Sequence, residues 1–178
     1  MTAEDGPGRW VLLDVDDVLN PDFSAAVRKK LARHDGWVSR WCALPEGHFR
    51  LFVNPRHGQW LRDLVRETGV RLAWGTTWQD SANRYVGPLL GLPRLPVAPM
   101  RAGAAKAPTM VPWTRGAPFA WIDNDESELR IASRLADDIG QEFLPVLVDA
   151  RTGLTEENIA GVRAWALVRS ERGKEDRG

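Results

Sequence analysis

An α/β fold is what this sequence predicts. The expected form is a mainly parallel, Rossmann-like sheet with helices on both faces, three layers in all, and a small β-hairpin inserted after the first strand. Three observations carry the prediction. Short apolar runs without polar alternation, as in strands buried on both faces, alternate with segments whose apolar residues recur at helical spacing. Three of those runs end in polar chemistry, at Asp14 and Asp16, at Thr76 and Thr77, and at Asp123 and Asn124; in parallel sheets ligands gather beyond the carboxyl ends of the strands. A length of 178 residues suits one domain with a substantial core. That domain is expected over residues 9–170, with the charged, glycine-containing residues 1–8 and 171–178 as loose tails.

The first run organises the rest. Residues 10–13, Trp-Val-Leu-Leu, lead directly into Asp14, Asp16 and Asp17. If the chain stays extended, Asp14 and Asp16 project to one side and Asp17 to the other. Two carboxylates about 4 Å apart repel by roughly 4 kcal/mol at an effective dielectric of about 20. A strand ending this way calls for a cation or a shared proton, and an oxygen-loving divalent ion such as Mg2+ is the simplest answer. Taken alone, an Asp-x-Asp pair is equally compatible with solvated acids at a strand end or with a sugar-nucleotide transferase. An EF-hand is excluded, because its glycine position falls on Leu19 and its closing Glu is missing.

Beyond Asn20 and Pro21, Asp22 is placed to cap a short helix carrying Phe23, Val27 and Leu31. Residues 37–43 and 48–53 flank Pro45-Glu46-Gly47 as a β-hairpin. Asn54 and Pro55 fit the N-cap and first position of a helix that buries Trp60, Leu61, Leu64 and Val65 and stops at Gly69. Residues 70–75 read as a second buried strand, residues 81–90 as a helix closed by Gly91, and residues 95–98 as a short third strand in spite of its prolines. Residues 100–110, rich in Gly and Ala and carrying Lys106, read as a mobile loop. Residues 119–122 are a strand that ends in Asp123-Asn124-Asp125, and Leu129, Ala132, Leu135 and Ile139 keep helical spacing after it. Residues 143–148 are a strand, and Thr155 caps a last helix that turns Ile159, Val162 and Ala166 inward.

Lys plus Arg and Asp plus Glu both number 24, so no global basic field argues for nucleic-acid binding, although a local patch stays compatible. No apolar run is long enough to cross a bilayer, and residues 1–6 read as acidic and polar rather than as a signal peptide. The lone Cys42 forms no internal disulfide and reads as a small apolar strand residue, in keeping with the cytoplasm. Among nine tryptophans, Trp10, Trp60, Trp74, Trp121 and Trp165 read as core, and Trp78 as packing rather than base stacking. His34, His48 and His57 lack zinc spacing; Arg56 and His57 read as a solvated first helical turn, and the arginines from Arg163 to Arg172 as the wet face of the last helix.

Four motifs in order resemble the haloacid dehalogenase-like (HAD) phosphohydrolase superfamily over about residues 10–150: Leu13-Asp14-Val15-Asp16, Thr76, Lys106, and Asp123-Asn124. More narrowly, Asn54-Pro55-Arg56-His57-Gly58-Gln59-Trp60-Leu61 and Trp74-Gly75-Thr76-Thr77-Trp78 resemble a small actinobacterial-type branch, similar to the phosphatase-like domains associated with RNA repair proteins. The resemblance implies a HAD-like sheet with residues 21–53 as a flap or small cap and no large cap domain. An open site of that kind admits a bulky or polymeric phosphate ester. It also implies a Mg2+-dependent phosphatase, with Asp14 as the nucleophile that becomes an aspartyl-phosphate and Asp16 as acid and then base. Mg2+ would be held by the Asp14 carboxylate, the Asp16 backbone carbonyl and Asp123, with Asn124 orienting a bound water. Thr76, with Thr77 beside it, and Lys106 would bind the phosphoryl group.

The acid at Asp16 favours phosphoryl transfer over dehalogenation. Two departures from the family pattern stand out: Asp17 where many members have Gly, and Asp-Asn-Asp in the fourth motif, which leaves Asn124 or Asp125 to complete the metal site. The expected partner is a phosphorylated substrate, a nucleotide or a nucleic-acid end, with no membrane and no obligate protein partner. A small-metabolite phosphatase and a binding module that keeps the fold without turnover are the alternatives.

Overall fold

A computed structural model describes residues 8–44, 47–100 and 103–175 of the chain. In order, the elements are β1 (Trp10–Leu13), α1 (Ala25–His34), β2 (Val38–Leu44), β3 (Gly47–Val53), α2 (Pro55–Thr68) and β4 (Arg71–Trp74). A π-helical turn (Ala82–Val86) then runs into α3 (Gly87–Leu90), followed by α4 (Ala107–Trp113), β5 (Phe119–Asp123), α5 (Glu126–Asp138), β6 (Phe143–Leu147) and α6 (Glu156–Glu175).

The apolar runs pair as a four-stranded parallel sheet in the order β4-β1-β5-β6, and β2 and β3 form a separate antiparallel hairpin. Alternation along β1 divides the core in two. Val11 and Leu13 join Leu61, Leu64, Leu90, Ile159 and Val162 on one face, so α2, α3 and α6 cover it. Leu12 joins Ala107, Met110, Leu129 and Ala132 on the other, under α4 and α5. Each fully buried Leu or Val contributes roughly 1.5–3 kcal/mol by leaving water, and that burial holds the layers together. From β1 the chain goes to β4 on one side and then crosses to β5 on the other, so the strand order reverses at the β1–β5 pair. Clefts that bind ligands open at such reversals.

The predicted three-layer sheet and hairpin are present, and several local expectations change. Ser24, not Asp22, caps α1, and Val27 is 41% exposed. Asn54 caps α2 with Pro55 behind it, as expected, and Gly69 ends it with a φ of 71° that favours glycine. The buried face of α2 includes His57 and Gly58 beside Leu61 and Leu64, while Val65 is 36% exposed. Residues 95–98 make only a single bridge, Val97 to Trp74, because the flanking prolines offer no amides for a ladder. Lys106 stands at the N-cap of α4, so the segment read as a mobile loop ends in a helix. Ile139 closes α5 at 63% exposure. At the C-terminus α6 continues to Glu175, past residue 171. The other expected tail, residues 1–8, lies almost wholly outside the described residues. Among the described residues no helix is long and apolar enough to cross a membrane.

Candidate active site

Backbone pairing holds three strand ends level. The Asp14 amide donates to the Ile122 carbonyl (3.1 Å), the Gly75 amide to Leu13 (2.8 Å) and the Val148 amide to Asp123 (3.0 Å). Asp14 is 3% exposed, and Thr76 and Asp123 are fully buried. Past Asp14 the chain leaves the extended state: the Leu19 and Asn20 amides both reach the Val15 carbonyl at 2.9 Å, and Asp17 takes a φ of 60°. The simple side-to-side alternation expected for the three acids therefore stops at Asp14. Asp16 is exposed and Asp17 half-buried within a turn.

Lys106 binds the two buried acids together. Its Nζ lies 2.8 Å from Asp14 Oδ2 and 2.8 Å from Asp123 Oδ2. Burial pushes the Asp14 carboxyl up, and the pull of Lys106, the Thr76 hydroxyl and the Val15 amide only partly offsets it. Burial, and then the charge of Asp14, lift Asp123 to about 6, against the opposing effect of Lys106. Burial alone would lower the Lys106 ammonium, but the two carboxylates reverse that and leave it raised. One ammonium between two carboxylates leaves net negative charge in a dry place, and a second cation or a proton would relieve it.

Around this centre the structure places the remaining candidates. Thr76 Oγ1 accepts from the Trp78 amide at 3.3 Å, and Thr77 is exposed. Asp16 Oδ2 accepts from the Trp78 indole at 2.8 Å, and its Oδ1 lies 3.5 Å from Asn20 Nδ2. The side chain of Asn20 is fixed in turn by the Phe52 amide, which donates to its Oδ1 at 2.9 Å. Asn124 Nδ2 donates to Asp17 Oδ2 at 3.3 Å, which joins the two departures from the family pattern. Asp125 caps α5, its Oδ1 accepting from Ser127 N (2.9 Å), Ser127 Oγ (2.6 Å) and Glu128 N (3.2 Å). Its own amide donates to Asp123 Oδ1 at 2.9 Å and steadies that carboxylate.

Three contributions were not foreseen from the sequence, where Trp78 reads only as packing. Trp78 is the partner of Asp16, Asn20 links Asp16 to the hairpin, and Glu128 accepts the Lys106 and Ala107 amides at 3.0 and 2.8 Å. Asp125-x-x-Glu128 does read as a capping box, but Glu128 serves the start of the neighbouring α4. His57, expected in a solvated turn, is 2% exposed between Trp37 and Trp60, and burial first and Arg56 second lower it to about 4.

The donors present suit a hard cation. Asp14 and Asp123 offer carboxylate oxygens from neighbouring strands, yet among the described residues no cluster of three or more His, Cys, Asp or Glu side chains could hold a metal. Two carboxylates, completed by a backbone carbonyl, water and substrate, are the usual donor set of Mg2+ rather than an all-protein cage for Ca2+.

The HAD domain of the effector protein Lem4 from Legionella pneumophila has a similar fold, with a TM-score of 0.50 at 11% identity over 85% of this chain and 91% of that one. A hypothetical protein from Xanthomonas campestris aligns at a TM-score of 0.46 and 16% identity over 96% of this chain and 88% of its own. No curated protein matches the sequence. The sequence pattern of the family described as the HAD domain in Swiss Army Knife RNA repair proteins matches residues 10–159, a span that takes in Asp14, Thr76, Lys106 and Asp123. The chain therefore belongs to that family of HAD domains.

Proposed function

We propose that the chain is a Mg2+-dependent phosphatase that hydrolyses a phosphate monoester through an aspartyl-phosphate on Asp14, with nucleotides or nucleic-acid ends as its substrate class. The observation that supports this reading best is the meeting of Asp14, Lys106 and Asp123 within 2.8 Å contacts at the strand-order reversal. Membership of a HAD family makes phosphatase-type chemistry the natural use of such a site.

In the proposed reaction an Asp14 carboxylate oxygen attacks phosphorus and the ester P–O bond breaks. The leaving oxygen takes a proton from Asp16. Asp16 then takes a proton from the water that attacks the aspartyl-phosphate, freeing Asp14 and inorganic phosphate. Lys106 and the Thr76 hydroxyl hold Asp14 in place, and Lys106 sets positive charge against the incoming phosphoryl group. Mg2+, held by Asp14, Asp123 and the Asp16 backbone carbonyl with Asn124 alongside, would offset the repulsion between Asp14 and the phosphate.

Hydrolysis of p-nitrophenyl phosphate tests the reading. The wild-type chain should turn it over with Mg2+ and stop on addition of EDTA. Asp14→Asn should lower kcat by at least about a thousandfold, as loss of a nucleophile does. A wild-type chain that folds and yet releases no phosphate would instead make it a binding module.

A further inference from the structure

We propose that the cleft between α1 and the β2–β3 hairpin holds the sugar-phosphate chain of a single-stranded polynucleotide whose end lies at Asp14. The proposal rests on the phosphatase reading and names the surface that would select a polymeric substrate for it.

The charge of the chain is balanced overall but not here. Residues 24–53 carry six Lys and Arg against two acids, Asp35 and Glu46. The cleft has a volume of about 610 Å3, with Phe23 and Phe52 in its lining and Arg28, Lys29, Arg33 and Arg50 around them. Among the described residues, none of the ion pairs uses any of those four cations. Two of the four are held in place by neutral partners. Arg28 Nε donates to the Phe23 carbonyl at 2.8 Å, and Arg50 Nε donates to Ser39 Oγ at 2.7 Å. Their positive charges are thus positioned but not neutralised, as a surface for phosphates requires.

An aromatic platform continues the cleft. Trp41 pairs with Arg50 across the hairpin, so it shares a hairpin face with Arg50, Ser39 and Phe52. It is 66% exposed, and the Arg50 guanidinium lies 6.0 Å from its ring centre. A large exposed indole beside an unpaired guanidinium suits a stacked base, and stacking of that kind needs an unpaired strand. The hairpin that walls the cleft also touches the reaction centre. The Phe52 amide holds Asn20, and Asn20 faces Asp16. On the other side of the hairpin Phe49 packs 6.2 Å from Trp78, the indole that fixes Asp16. In the proposal, a strand leaving the scissile phosphate passes the hairpin edge at Asn20 and Phe52 and reaches the basic and aromatic side chains on the hairpin's far face.

The test uses the full chain carrying Asp14→Asn and fluorescein-labelled, unphosphorylated single-stranded RNA and DNA of about 12 nucleotides, within the usual site sizes. Anisotropy is read between about 50 and 200 mM salt. Lys29→Ala with Arg33→Ala should weaken binding tenfold or more and flatten the log–log salt slope by about 1.4, at roughly 0.7 per lost phosphate contact. Trp41→Ala should weaken binding fivefold or more without changing the slope. Arg130→Ala, on α5 in the opposite layer, should change neither. Thermal melts confirm that each variant folds. Binding of either RNA or DNA with these effects supports the cleft. No binding, binding indifferent to all three cleft changes, or tighter binding of a polyglutamate peptide at equal salt overturns it. Hydrolysis of p-nitrophenyl phosphate by the wild type without oligonucleotide binding defeats the cleft alone, whereas binding without hydrolysis defeats the phosphatase reading alone.

Discussion

Lys106 answers two buried carboxylates with a single positive charge, and the consequence of removing it follows directly. Lys106→Met leaves Asp14 and Asp123 side by side without a counter-ion. Breaking a buried ion pair from one side costs roughly 3–5 kcal/mol. Urea unfolding in EDTA should show a loss of that size, and added Mg2+ should restore a larger share of stability to the variant than to the wild type. A variant as stable as the wild type in EDTA would mean that the two acids already share a proton. At this scale the sequence was legible wherever a side chain's role follows from its place on a strand. Asp14 and Asp123 stand at the ends of apolar runs, but the repulsion expected between Asp14 and Asp16 falls instead between Asp14 and Asp123, because the chain turns after Asp14. Lys106 was reached only through the family resemblance, and Trp78 could not be reached at all as the partner of Asp16. Those two residues are 62 positions apart, and no local pattern encodes an indole meeting a carboxylate over that separation.

Among the elements, α2 shows where local rules succeed. Asn54, Pro55 and Gly69 mark its ends by capping chemistry, which depends only on neighbouring backbone. Its inner face is another matter, because what a helix buries depends on what arrives opposite it. Gly58 is there because α3 passes so close: a Cβ at that position would stand 1.8 Å from the Leu90 carbonyl oxygen and 2.6 Å from its carbon. Gly58→Ala should therefore lower stability by more than about 3 kcal/mol, beyond the usual cost of one extra methyl in a core, as measured by urea unfolding. A cost below 1 kcal/mol would show that α2 and α3 slide apart freely. The helix expected over residues 81–90 is present and closed by Gly91, with its first turn π-helical, whereas the start of α4 was missed. The geometry of that start is settled by a contact from another element, the Glu128 carboxylate on the first amides of α4.

Across the whole molecule, fold class was the most legible feature and titration behaviour the least. Apolar runs bounded by helical patterns dictate a parallel sheet whatever their order. The burial of His57, however, emerges only when Trp37 and Trp60 close around it. With its folded pKa at about 4 and its ordinary value near 6.5, the unfolded chain binds the histidine proton more readily. Its contribution is intact above about pH 6.5 and is lost as the pH falls towards 4, at a cost of about 2–3 kcal/mol between pH 7.5 and 4.5. Asp123, raised to about 6, takes up a proton in the folded state over part of that range and works in the opposite direction. The difference in unfolding free energy between wild type and His57→Leu isolates the histidine, and it should shift by that amount in favour of the variant at pH 4.5. A constant difference would mean that the imidazole protonates while the protein stays folded.

Because Glu128 grips the opening amides of α4, the lysine takes its address from the helix that follows Asp123 and not from the chain that precedes it. Residues gained or lost between Gly91 and Lys106 would be taken up upstream, leaving the reactive trio undisturbed. Counting along the sequence is thus a poor guide to this lysine, and an acid one turn into the following helix is the better landmark for locating its counterpart in distant relatives.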